Sequence, residues 1–133
     1  MILLDTHVWV WWVHGTSRLT PENLQSLDAA APEGLGVSII SCWEVAKLVE
    51  YQRLRLPCDL EQWLHRALAC PGIQLVDLTP RIVVESTRLP PPFHRDPADQ
   101  LIVATARVHG ARVATADGKI LKYAHVPTLH MGL

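Results

Sequence analysis

HRDPADQLIVATARVHGARVATADGKI, residues 94–120, decides the fold. Asp96 followed by Pro97 reads as a helix start, because proline at the first helical position gives up a donor that would be unsatisfied anyway. Apolar residues fill the turns that follow, and Gly110 supplies a stop. Arg112 to Thr115 is then a short apolar run, the signature of a buried strand. Asp117-Gly118 is a turn leading into a short helical piece. A helix feeding a buried strand that feeds another helix is the unit of a parallel sheet.

The same alternation extends outward. Ile2 to Leu4 is a buried strand ended by Asp5, and Thr6 to His14 is a short helix closed by Gly15. Thr20-Pro21 opens a helix to about Ala31, and Leu35 to Ile39 is a second strand. Ser41-Cys42-Trp43-Glu44 has the capping-box pattern and predicts a helix from there to about Leu54. Asp59 caps a helix over roughly Leu60 to Ala69, Ile73 to Val76 is a third strand, and Thr79-Pro80 starts a helix that ends before Pro90-Pro91-Pro92. Val126 to His130 is a candidate fifth strand. The expectation is one α/β domain over 1–133, a central parallel sheet of four to five strands flanked by helices in three layers.

Composition narrows the class. Apolar residues make up 49% of the chain, enough to fold by burial. The formal net charge is −1, which argues against a domain that simply coats nucleic acid. Cys42, Cys58 and Cys70 are odd in number and show no Cys-x-x-Cys spacing, so free thiols are expected rather than a disulfide scaffold or a zinc ribbon. The opening MILLDTHVWVWWVHG has no basic region or cleavage site and is interrupted by Asp5, so neither a signal peptide nor a membrane span is expected. A cytoplasmic location fits.

The acids carry the chemistry. In open parallel sheets, ligands bind outside the carboxyl ends of the strands. Asp5 and Asp117 follow the first and fourth strands, and Glu44, Asp96 and Asp99 lie near helix starts at the same edge. Each has a bland alternative. Asp5 and Asp96 suit helix caps, Glu44 completes a capping box with Ser41, and Asp117 suits a turn. Asp99 is the exception. Its same-face neighbours are Ile102, Val103 and Ala106, so its carboxylate tops an apolar stripe. The helix N-terminus offers only about 0.3–1 kcal/mol in compensation. A cation is the stronger answer.

Crowded carboxylates repel one another, and a divalent ion resolves the repulsion. Oxygen-only ligands favour Mg²⁺ or Mn²⁺ over Zn²⁺. The reaction such a site serves is phosphodiester hydrolysis by metal-activated water. His7 and His94 fall near the acidic rim, with hydrogen-bonding roles the simpler reading. No serine-hydrolase elbow or P-loop occurs. Trp9 to Trp12 read as core, with an exposed partner face as the alternative. No aromatic–basic platform for bases stands out, and Arg95, Arg107, Lys119 and Lys122 are the cations that could reach phosphates.

Taken in order, MILLDTH, SCWEVAKL (41–48), HRDPADQLIVATA (94–106) and VATADGKI (113–120) resemble the PIN-domain family. Within it, they resemble the VapC toxins of bacterial toxin–antitoxin systems. The resemblance spans the chain and implies a PIN-like fold and a Mg²⁺- or Mn²⁺-dependent endoribonuclease. It implies site acids at Asp5, Glu44, Asp99 and Asp117, with Asp96 beside them and Thr6, Ser41 and Thr115 as supporting hydroxyls. It further implies an RNA substrate, a homodimer and a small cognate antitoxin that neutralises the enzyme. Gln100 stands where the subgroup often has Arg, and Ala116 where it often has a polar or basic residue. Two competing readings remain: a catalytically silent PIN-like partner-binding domain, and an aspartyl-phosphate phosphatase on Asp5. The latter usually carries a second Asp two residues on, where this chain has His7.

Overall fold

Five short apolar runs pair side by side in the computed structural model, which describes residues 1–132. They are β1 (Ile2–Leu4), β2 (Leu35–Ser38), β3 (Ile73–Val76), β4 (Arg112–Thr115) and β5 (Thr128–His130). The order across the sheet is β3-β2-β1-β4-β5, and every pairing is parallel. Helices α1 (Thr6–His14) and α2 (Pro21–Ala30) link β1 to β2. Helices α3 (Ile39–Glu50) and α4 (Leu60–Leu68) link β2 to β3. Helices α5 (Pro80–Ser86) and α6 (Pro97–His109) carry the chain across to β4, and α7 (Gly118–Leu121) leads to β5. Among the described residues, no helix is long and apolar enough to cross a membrane.

The period-two alternation of strand side chains splits the core into two layers. Ile2 and Leu4 face one layer with Trp9, Leu27, Val37, Val45 and Trp63. Leu3 faces the other with Ile102, Val103, Ala106, Val113 and Ile120. Fully burying one large aliphatic side chain contributes about 1.5–3 kcal/mol, so β1, buried on both faces, anchors the molecule. Gly36 in β2 is required by closeness rather than by a turn. A Cβ there would sit 2.9 Å from Met1 Sδ and 3.2 Å from Leu3 Cδ1. Gly110 caps α6 in the left-handed region at φ 63°, which favours glycine.

Several expectations need correction. Helix α3 begins at Ile39, not Ser41, because the strand ends at Ser38 and that side chain accepts from Ile40 N at 3.1 Å. Ser41 is therefore not a cap; it lies inside the helix, fully buried. The helix ends at Glu50 rather than near Leu54, and β5 is confined to Thr128–His130. Trp9 is 0% exposed, a core residue, while Trp11 and Trp12 are only partly buried against the same layer. The three cysteines are free and partly buried.

The order of strands creates the site's location. From β1 the chain winds toward β2 and β3; from β4 it winds the other way toward β5. The carboxyl ends of β1 and β4 therefore flank the point where winding reverses, the crevice where open α/β sheets bind ligands.

Candidate active site

Asp5 is the first residue past β1. It is 6% exposed, and both carboxylate oxygens are engaged. Oδ1 accepts from the backbone N–H of Thr6 at 2.8 Å, which caps α1, and Oδ2 accepts from the Thr115 hydroxyl at 2.7 Å. Capping and site placement are thus one arrangement here. Burial pushes the Asp5 carboxyl up, while the Thr115 and Thr6 hydrogen bonds pull it back.

Thr115, the last residue of β4, serves two acids. Besides donating to Asp5, its Oγ1 accepts from the backbone N–H of Asp117 at 3.0 Å. Asp117 in turn caps α7, accepting from Lys119 N at 2.8 Å. Replacing Thr115 by valine keeps the shape and removes both functions. Leaving a buried carboxylate oxygen unpaired costs about 1–3 kcal/mol. The expected result for Thr115→Val is a loss of that size in urea unfolding, with a lower cleavage rate. Unchanged stability would show that the bond does not hold Asp5.

On the other flank, Thr6 Oγ1 lies 2.6 Å from Glu44 Oε1 and 2.8 Å from Ser41 Oγ. One hydroxyl has one proton and a carboxylate can only accept, so with Glu44 ionised Thr6 donates to it and accepts from Ser41. Ser41 thus supports the site through Thr6. Glu44 is half-buried; burial raises its pKa, Thr6 opposes, and the charges of Asp5 and Asp96 raise it further.

Asp96 and Asp99 divide their roles. Asp96 is exposed and caps α6, with Oδ1 accepting from Asp99 N at 3.1 Å. Asp99 is not the cap, and Ile102, Val103 and Ala106, which follow it along the same helix, are each 0% exposed. Burial pushes Asp99 up to about 7, reinforced by the negative charges of Asp5, Asp96, Asp117 and Glu44. The other four acids of the rim therefore all act on this one carboxyl. The proline loop brings in His94, which the sequence placed near the rim with a hydrogen-bonding role as the simpler reading. His94 Nε2 stands 3.0 Å from Asp99 Oδ2, yet this buried nitrogen makes no aligned hydrogen bond among the described residues. Gln100 holds the loop, its Nε2 donating to the His94 carbonyl at 3.0 Å.

Not every candidate cation is here. Arg107 is committed elsewhere: Nε donates to Glu85 at 2.8 Å and a guanidinium nitrogen donates to the His125 carbonyl at 2.6 Å. Glu85 is thereby the ion-pair partner of Arg107. Arg95, Lys119 and Lys122 are exposed.

The donor set fits a hard divalent cation. It is all oxygen, it is mutually repulsive, and its most affected member holds its proton to about pH 7 without relief. Among the described residues no three acid, histidine or cysteine side chains already converge on one point. The aspartyl-phosphate alternative fares worse. Such sites usually carry a second Asp two residues past the nucleophile, and that position here is His7.

The comparisons agree with this architecture. The PIN-domain family model matches residues 2–126, and the chain belongs to that family. It is 36% identical over 124 residues to Ribonuclease VapC22 of Mycobacterium tuberculosis, covering 93% of this chain and 92% of that protein. Among solved structures, the fold matches VapBC2 from Rickettsia felis bound to a promoter DNA fragment, with a TM-score of 0.71 and 16% identity over 98% of this chain and 99% of that one. It also matches FitAcB from Neisseria gonorrhoeae, with a TM-score of 0.68 and 24% identity over 97% and 96% of the two chains.

Proposed function

We propose that this chain is a Mg²⁺- or Mn²⁺-dependent endoribonuclease of the VapC type, the toxin of a toxin–antitoxin pair acting in the cytoplasm. The observation that carries the reading is Asp99, a carboxyl held to about pH 7 by burial and by four neighbouring acids. A related protein named a ribonuclease supports the activity. Asp5, Glu44, Asp99 and Asp117 would hold the ion or ions. Once bound, the metal supplies an activated water and charge neutralisation at the phosphodiester. The chain's own residues prepare that chemistry: Thr115 and the Thr6 backbone fix Asp5, the Thr6 hydroxyl fixes Glu44, and Asp96 caps the helix that presents Asp99.

A cognate antitoxin and a second copy of the chain complete the proposal. A solved structure of similar fold described as a toxin–antitoxin complex, from Klebsiella pneumoniae, supports an antitoxin partner. So does a groove of about 600 Å³ walled by Val13, Leu56, Trp63 and Ala67 and edged by Arg55 and Arg66.

Mapping cleavage sites on total RNA tests the activity. The wild type with Mn²⁺ is expected to cut at defined positions, while chelation or Asp5→Asn abolishes the cuts. A protein that binds its partner but never cuts RNA would favour the silent-domain reading instead.

A further inference from the structure

The fold builds an aromatic–basic surface that is scattered in sequence. A groove of about 350 Å³ is lined by Pro92, Phe93, His94, Lys119, Lys122 and Tyr123. We infer that it seats one nucleotide of single-stranded RNA next to the scissile phosphate, its base against the Pro92–Phe93 wall and its phosphate on Lys119 and Lys122. This rests on the ribonuclease reading and locates a substrate subsite for it.

Continuity is the first argument. His94 lines the groove and also stands 3.0 Å from Asp99. Lys119 lines the groove, and its N–H donates to Asp117 at 2.8 Å. Groove and acidic rim therefore share residues at two points. Charge is the second. Neither lysine forms an ion pair among the described residues, and both are exposed. A rim of carboxylates repels RNA, so uncommitted cations directly beside it are what lets a polyanion approach.

Rigidity is the third. The Phe93 ring lies 4.6 Å from Tyr123 and 4.5 Å from His94, centroid to centroid. The Tyr123 hydroxyl donates to the Pro90 carbonyl at 2.6 Å, and Gln100 holds the loop from the other side. The platform is preorganised, so a stacking base orders little on binding. Its volume is near the lower end for ligand sites, about 300–1,000 Å³, which suits one nucleotide and not a duplex. Bases can stack on aromatic side chains only when splayed from a helix, so the substrate segment is single-stranded.

The test uses a fluorescein-labelled RNA decamer, its Kd measured against salt in a non-cleaving Asp99→Asn background, and cleavage kinetics in the wild-type background. The double variant Lys119→Ala/Lys122→Ala should raise Kd about tenfold and flatten the salt slope by about 0.7, the share of the one phosphate the two lysines hold. In cleavage it should raise KM with kcat nearly unchanged. Phe93→Leu should raise Kd about fivefold or more, Phe93→Trp should restore it, and an abasic substitution in the RNA should weaken wild-type binding but not that of Phe93→Leu. An unchanged Kd and salt slope in the double lysine variant, with the wild type still cutting RNA, overturns the subsite alone. A poly-glutamate peptide bound as tightly as RNA, with no effect of the abasic substitution, overturns it in favour of an acidic protein segment. A wild type that neither binds nor cuts RNA overturns both readings.

Discussion

Asp99→Asn is expected to lower RNA cleavage about 100- to 1,000-fold, the scale of losing one preorganised charge-stabilising group. At the same time, it should make the metal-free protein more stable at pH 8. The second effect separates a site residue from a structural one. Asp99 ordinarily titrates near 3.8 and is pushed to about 7 by burial and by its acidic neighbours. Between those values the folded chain holds a proton that the unfolded chain has released. Stability therefore falls as pH rises through that window, and above about 7 the loss is complete. Asparagine carries no charge and escapes it. The side chain is 15% exposed, so screening keeps the gain on the order of 1–2 kcal/mol. For a chain of this size that is a rise of about 3–8 °C in Tm. Near pH 4 the two proteins should melt together. Thermal unfolding in chelator at pH 4, 6 and 8 measures it, and a variant that is less stable than wild type at pH 8 would sink the account.

The order of elements was legible because each strand is a short apolar run and each helix start carries a strong signal. Asp96-Pro97, Thr79-Pro80 and Thr20-Pro21 all begin helices at the expected residue. Helix α3 was misplaced for a physical reason. Ile39 and Ile40 favour strands, and Ser41 with Glu44 imitates a capping box. The sheet nevertheless ends at Ser38, and β2 pairs with β3 only up to that residue.

The acids could be placed on one rim because parallel topology sends strand ends and helix starts to the same edge. That argument works from chain order alone. It could not find what depends on how distant loops pack. Thr115 reaches Asp5 across 110 residues, Thr6 reaches Glu44 across 38, and Phe93 meets Tyr123 across the whole of α6 and β4. His94 was suspected of being near the rim, but its approach to Asp99 depends on the proline loop being tied by Gln100 and Tyr123. Gln100, a departure from the subgroup's usual residue, has a structural use that no spacing rule encodes.

Adding Mn²⁺ should raise Tm strongly at pH 7.5 and weakly at pH 5.5. A ligand that binds only the folded chain stabilises it by about 2.7 kcal/mol at a hundredfold excess over Kd. The metal requires ionised carboxylates, so it competes with the proton on Asp99, which is held to about 7. Burial raises Asp5 and Glu44 in the same direction, so they add to the competition on the acid side. Below pH 7 the apparent affinity should fall about tenfold per pH unit for each proton displaced. Asp99→Asn removes the charge and the largest share of the proton competition, so its Mn²⁺ response should be smaller and less dependent on pH. The two pH dependences thus run in opposite directions. Without metal, wild type gains stability as the solution is acidified; with metal, it gains as the solution is made alkaline. Calorimetric titration in two buffers of different ionisation enthalpy would count the protons released on binding. Proton release near zero at pH 6 would mean that the ion, if it binds, does not bind at Asp99, and the candidate site would have to be drawn without it.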